Sequence, residues 1–194
     1  MSCVRLARDD PIEGRESRGT MPLYEILGMG LLFVGGVLFV NGMWLLGYGS
    51  NRDVATFNLL TGLITFLIVL WWGFGGDASD GTPFNAAGTM LFSFTYLWIA
   101  ANAYRGIEDQ RSFGWYCGFV AVTALPTAYL VFLTGDIGLT ALWLIWAVLW
   151  AAFFVLLGLE RENLTGPTGS FTAVVGAVTA AAGYLMAAGF WPWA

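Results

Sequence analysis

The sequence predicts an all-α integral membrane protein of six transmembrane helices, and three observations carry that reading. Of its 194 residues, 58% are hydrophobic and only 11% are charged. The charges leave six uncharged stretches, 26–51, 54–76, 81–104, 112–135, 137–159 and 163–194, each 23 residues or longer. A hydrocarbon core about 30 Å thick needs roughly 20 helical residues, so each stretch is long enough to cross it. A spanning helix also satisfies its own backbone hydrogen bonds, which a lipid-exposed loop cannot do. Finally, the connectors are short and alternate in charge: Arg52, Arg105, Arg111 and Arg161 fall in the first, third and fifth, whereas the second holds only Asp77 and Asp80 and the fourth only Asp136. Cytoplasmic loops collect basic residues, so the odd connectors are expected inside and both termini outside.

Residues 1–21 read differently from the rest. Four Arg and four acidic residues precede Thr20, without an apolar run, and Met21 follows. This segment reads as a disordered leader or a mis-called start upstream of Met21. Its arginines would favour an internal N-terminus; the mutually consistent connectors are given precedence. Residues 22–194 then form one membrane domain.

Taken in order, the spans differ in what they carry. The first has small residues at Gly35, Gly36 and Gly42, and places Leu31, Val34, Leu38 and Asn41 on one face. The second ends in Trp71 and Trp72. The third holds an aromatic pair at i and i+4, Phe92 and Tyr96, in its middle. The fourth opens with Trp115 and Tyr116 and contains Pro126. In the fifth, Trp143, Trp146 and Trp150 fall within about 60° of one another, at i, i+3 and i+7. The sixth is rich in small residues (Gly176, Ala177, Ala180, Ala181, Gly183, Ala187 and Ala188), which lets helices approach closely. Trp71, Trp72, Trp115, Tyr116, Trp191 and Trp193, near span ends, are expected in the interfacial aromatic belts. Six spans also allow two three-helix units related by inversion. The mid-span aromatics admit two readings: a packed aromatic core with Asn41 bonding a neighbouring helix, or a narrow amphipathic lining.

Composition removes many functions. The chain has no Lys and no His, so a retinal Schiff base and the commonest haem ligand are both missing. Cys3 and Cys117 suggest neither a disulfide framework nor a metal site, and no cofactor is expected. A formal charge of −5 made by scattered carboxylates argues against nucleic acid. Ion channels use rings of charge or carbonyls, and proton-coupled transporters use buried carboxylates or His; the stretches hold no charge of either kind. Intramembrane hydrolysis needs a nucleophile with a base, and Ser93 and Cys117 have no His or Lys to serve them. No enzyme is expected. Passive permeation of a small uncharged polar solute, or an assembly role, remains.

The aromatic segments carry a resemblance. Leu91-Phe92-Ser93-Phe94-Thr95-Tyr96-Leu97 with Ala100-Ala101-Asn102, Trp115-Tyr116 with Leu125-Pro126, Trp143 through Trp150, and Val34-Gly35 through Asn41-Gly42 resemble, in order, motifs of the AmiS/UreI family of urea and short-chain amide channels. The resemblance covers most of residues 29–155. It implies a six-span protomer with its own pore, assembled as a homohexameric ring in the inner membrane, and makes 22–194 a channel domain. The pathway it implies is lined by Val34, Leu38, Phe92, Tyr96, Trp143, Trp146, Leu149 and Trp150, with Leu31 and Asn41 as further candidates. Its solute would be a short-chain amide or urea. Acid-gated relatives depend on external His, which this chain lacks, so permeability is expected to change little between pH 5 and 7. An energy-coupled amide uptake transporter and a membrane scaffold subunit for an amidase are the alternatives.

Overall fold

The computed structural model describes residues 23–74 and 83–193. The leader at 1–21 and Asp77 and Asp80 of the second connector lie outside the described residues. The described residues form six long helices: α1 (Leu23–Leu45), α2 (Asn51–Phe74), α3 (Pro83–Arg105), α4 (Arg111–Phe132), α5 (Ile137–Phe153) and α6 (Thr165–Ala187). Five of the helical segments are long and apolar enough to cross a membrane. The sixth, α3, is as long but more polar, because Asn85, Thr89, Ser93, Thr95 and Asn102 interrupt its apolar residues.

The uncharged stretches and the helices do not coincide at their ends, and the charges explain why. Helix α1 starts three residues before its stretch and takes Glu25 into its first turn, where the helix dipole favours an anion. Arg52 and Asp53 sit in the first turn of α2 rather than in a connector. There the Ser50 hydroxyl accepts a hydrogen bond from the Asp53 N–H at 3.3 Å, capping orphan donors. Helix α5 ends in a π-helical turn, Phe154–Gly158, whose wider ring sets Gly158 backbone against Gly114 of α4. Helix α6 stops at Ala187, and the residues after it turn back onto the bundle.

The helices pack most closely as three pairs, α1 with α6, α2 with α3, and α4 with α5. Glycines make the first pair. Gly28, Gly35 and Gly42 recur every seventh residue of α1, as do Gly169, Gly176 and Gly183 on α6. Gly28 faces Gly183 and Ala187, Gly35 faces Ala180, and Gly42 faces Gly169 and Ala173, an antiparallel register with backbones in contact. The halves differ in packing: α2 lies along α3, whereas α5 and α6, their counterparts under inversion, meet only briefly. Packing therefore gives the inverted three-helix unit no support.

Two side chains expected at the surface are inside. Trp72 and Trp191 are buried in the bundle and do not face outward, whereas Trp71, Trp115 and Trp193 are exposed. Asp136, the charge of the fourth connector, is only 1% exposed. It caps α5 by accepting the Leu139 N–H at 2.7 Å, and its other oxygen accepts the Trp191 indole N–H at 2.9 Å. This one carboxylate ties the start of α5 to the chain beyond α6. Asp136→Asn turns one acceptor oxygen into a donor facing a donor. The expected loss is about 1–3 kcal/mol, read as a lower melting temperature in detergent; an unchanged melting temperature would show that the carboxylate does not hold this tail.

Candidate solute pathway

Phe92 is the centre of the site, and its neighbours in sequence hold it there. The Leu91 carbonyl accepts the Tyr116 hydroxyl at 2.7 Å, and the Ser93 hydroxyl donates to the Gly62 carbonyl at 2.9 Å. These bonds pin α3 to α4 and α2 on either side of the ring. Phe92 meets the three tryptophans of α5: Trp143 with centroids 5.8 Å apart, and Trp146 and Trp150 each at 4.8 Å. Trp143 and Trp146 meet edge to face at 5.3 Å. Edge-to-face pairs are the favourable geometry for rings that carry quadrupoles.

Two cavities lie on either side of this cluster. The larger, about 590 Å³, opens among the start of α1, the end of α2, the start of α3, the end of α4 and the start of α5. That is the range of small-molecule sites, about 300–1,000 Å³. The smaller, about 30 Å³, sits toward the opposite helix ends and has room for roughly two waters. Phe92 and Trp146 border both. Leu31, Val34 and Trp143 border the larger; Leu38, Asn41, Tyr96, Leu149 and Trp150 border the smaller. All ten side chains singled out in the sequence thus border one cavity or the other, and the rings pack on one another as well.

The polar atoms at the site are few and mostly spoken for. Asn41 and Asn58 form a reciprocal amide pair, at 2.9 and 2.7 Å, and the second Asn58 N–H goes to the Val54 carbonyl at 2.8 Å. That last bond fixes which way both amides face. The Thr95 hydroxyl is spent on the Leu91 carbonyl at 2.7 Å. The Trp146 indole N–H donates to the Thr179 hydroxyl at 3.0 Å. The Tyr96, Trp143 and Trp150 polar atoms make no hydrogen bond among the described residues.

Sequence reasoning missed the contribution of α2 and the ends of α3 and α4 to the larger cavity, among them Thr65, Trp72, Thr89 and Thr127. A signal was present on α2: Asn58, Thr61, Thr65, Ile68 and Trp72, spaced alternately by three and four, all turn inward. Polar residues at that spacing in an apolar helix mark a face that avoids lipid. Helix α6 has a similar stripe, Thr168, Thr172, Val175, Thr179, Ala182 and Met186, yet borders neither cavity. It backs α1, packs Val175, Ala182 and Met186 into the buried cluster around the site, and bonds the Trp146 indole through Thr179.

The profile of the family described as "AmiS/UreI family transporter" matches residues 26–189. The chain belongs to the AmiS/UreI family. A relative from Mycolicibacterium smegmatis named for the transport of amidate substrates is 40% identical over 169 residues, covering 84% of this chain and 78% of its own. The acid-activated urea channel of Helicobacter pylori is 30% identical over 177 residues, with coverages of 76% and 87%. The crystal structure of the H. pylori urea channel superposes with a TM-score of 0.74 at 28% identity, covering 85% of this chain and 99% of that one. Its closed-state cryo-EM structure gives 0.69 at 27%, with 82% and 96% covered. As a member of this family the chain is an integral membrane protein with a channel or transporter role.

Proposed function

We propose that this protein is a passive, homo-oligomeric channel for small neutral planar solutes, short-chain amides and urea, in the inner membrane of a bacterium. The observation that carries the reading is the joint of Phe92 and Trp146 between two cavities bordered by uncharged side chains. A flat amide can slide edgewise between rings, trading water for ring faces and a few polar atoms. A hydrated ion finds no carbonyl ring or charge there to replace its shell. The pathway runs from the larger cavity, at the Asp136 end, through the joint to Asn41, Tyr96 and Trp150. By the basic residues at the smaller cavity's end, that end is cytoplasmic and both termini are external. The names of relatives, for amidate transport and for urea, support amides and urea as the solute class.

Purified protein in liposomes tests this without any imposed proton or ion gradient. Stopped-flow swelling should show acetamide and urea entering well above protein-free vesicles, and glycerol far less. Flux that appears only with a gradient would instead identify an energy-coupled transporter. No flux under either condition would leave the amidase scaffold.

Acid should not open it. The chain has no His. At the cytoplasmic end, hydrogen bonds from the Arg111 guanidinium and backbone, the closest at 2.7 Å, hold the Asp109 carboxyl down at about 2. A carboxylate depressed in the folded state contributes fully above its unfolded value, about 3.9, and that contribution is lost only as the pH falls toward 2. This pair therefore does not titrate between pH 5 and 7. Acetamide flux should be flat across that window, unlike a channel named as acid-activated, and a several-fold rise at pH 5 would overturn the expectation.

A further inference from the structure

We propose that Thr179 is a positioning residue for solute selectivity: it draws the Trp146 indole N–H out of the passage, so that the joint between the cavities offers no hydrogen-bond donor. The inference rests on the channel reading of the site and goes beyond it, because Thr179 touches neither cavity.

Three tryptophans on one face of α5 are treated differently by the fold. Trp143 borders the larger cavity and Trp150 the smaller, and neither indole makes a hydrogen bond among the described residues. Trp146 borders both cavities, is 2% exposed, and has its N–H bonded to Thr179 at 3.0 Å. Thr179 itself is fully buried on α6. The ring facing Trp146 across the joint is Phe92, which has no polar atom. Indole donors thus flank the passage on both sides of a stretch that has none.

That distribution suits conduction. A channel needs sites good enough to enter and weak enough to leave. An indole N–H left unpaired at the joint between the cavities would take the carbonyl of a passing amide as its partner, because a buried donor without an acceptor is costly. The solute would then linger where only one fits. The Thr179 hydroxyl removes that trap by satisfying the donor from behind.

Concentration dependence separates this from a packing role. Wild-type acetamide flux in liposomes should rise linearly over the measured range. Thr179→Val keeps the branched shape and removes the acceptor; its flux should saturate, at a concentration at least tenfold lower than any curvature in wild type. Thr179→Ser keeps the hydroxyl and should restore linear flux. Thr179→Cys, with a weakly accepting sulfur, should fall between, and together with Thr179→Ser it keeps the test open if Thr179→Val does not fold. Equal, linear fluxes from well-folded Thr179→Val or Thr179→Cys and from Thr179→Ser would overturn the proposal. Absence of wild-type flux would refute the channel reading instead.

Discussion

Phe92→Ala is expected to let glycerol through, raising its permeability roughly tenfold, which corresponds to about 1.4 kcal/mol off the barrier. Phe92 is the side chain that meets all three α5 tryptophans, and with Trp146 it borders both cavities. Without the ring the cavities merge on the α3 side, and the slot proposed to admit flat molecules edgewise would become a wider opening. Thickness then ceases to discriminate, so the non-planar glycerol gains most and acetamide little. Truncating a filled core Phe costs about 3–5 kcal/mol. Phe92 already borders empty space on two sides, which puts the cost at the low end and leaves a folded protein to assay. Stopped-flow swelling with acetamide and glycerol reads the ratio directly. Continued exclusion of glycerol by folded Phe92→Ala would place the selective constriction elsewhere.

Gly35→Leu is expected to do the greatest damage to the fold. Even a Cβ on Gly35 would fall on the backbone of Ala180, and the opposing Gly176 backs onto Phe39 and Gly35 in the same way. No rotamer relieves an overlap with backbone, so α1 and α6 must separate along their length. In a membrane, close packing is most of what holds a helix pair, since lipid is as apolar as the side chains. Overpacking costs typically about 1–3 kcal/mol, and a seam forced apart over several turns loses more. The melting temperature in detergent should fall by roughly 10 °C or more, with loss of monodisperse protein. Gly166→Ala is the control: its Cβ meets nothing within 4 Å, and the change should be neutral or slightly stabilising. Equal stability of Gly35→Leu and wild type would contradict the register of the α1–α6 seam.

Much of this molecule is legible in its sequence. The spacing of charges located all six helices, because a charge in hydrocarbon is expensive and marks a span's limits, although the first and last stretches overrun the ends of α1 at Leu45 and α6 at Ala187. Side-chain period placed Phe92 with Tyr96, and Trp143 with Trp146 and Trp150, on common faces, since residues three, four and seven apart share a helix side. The misplaced ends, at Glu25, Arg52 and Asp53, arise because helices continue through charged caps that lie beyond the apolar core.

Only tertiary structure decided where the polar groups went. Asp136 sits in a short connector, and is buried because Trp191, 55 residues later, returns to donate to it. Trp72 resembles any interfacial tryptophan until α1 and α3 pack over it. Nothing in the small-residue text of α6 announces that Thr179 holds the Trp146 indole, 33 residues away. The physical reason is common to all three. Period and composition report the face a residue occupies on its own helix, whereas a hydrogen-bond partner across helices depends on the register in which two helices dock. Here the glycine seam sets that docking for α1 and α6.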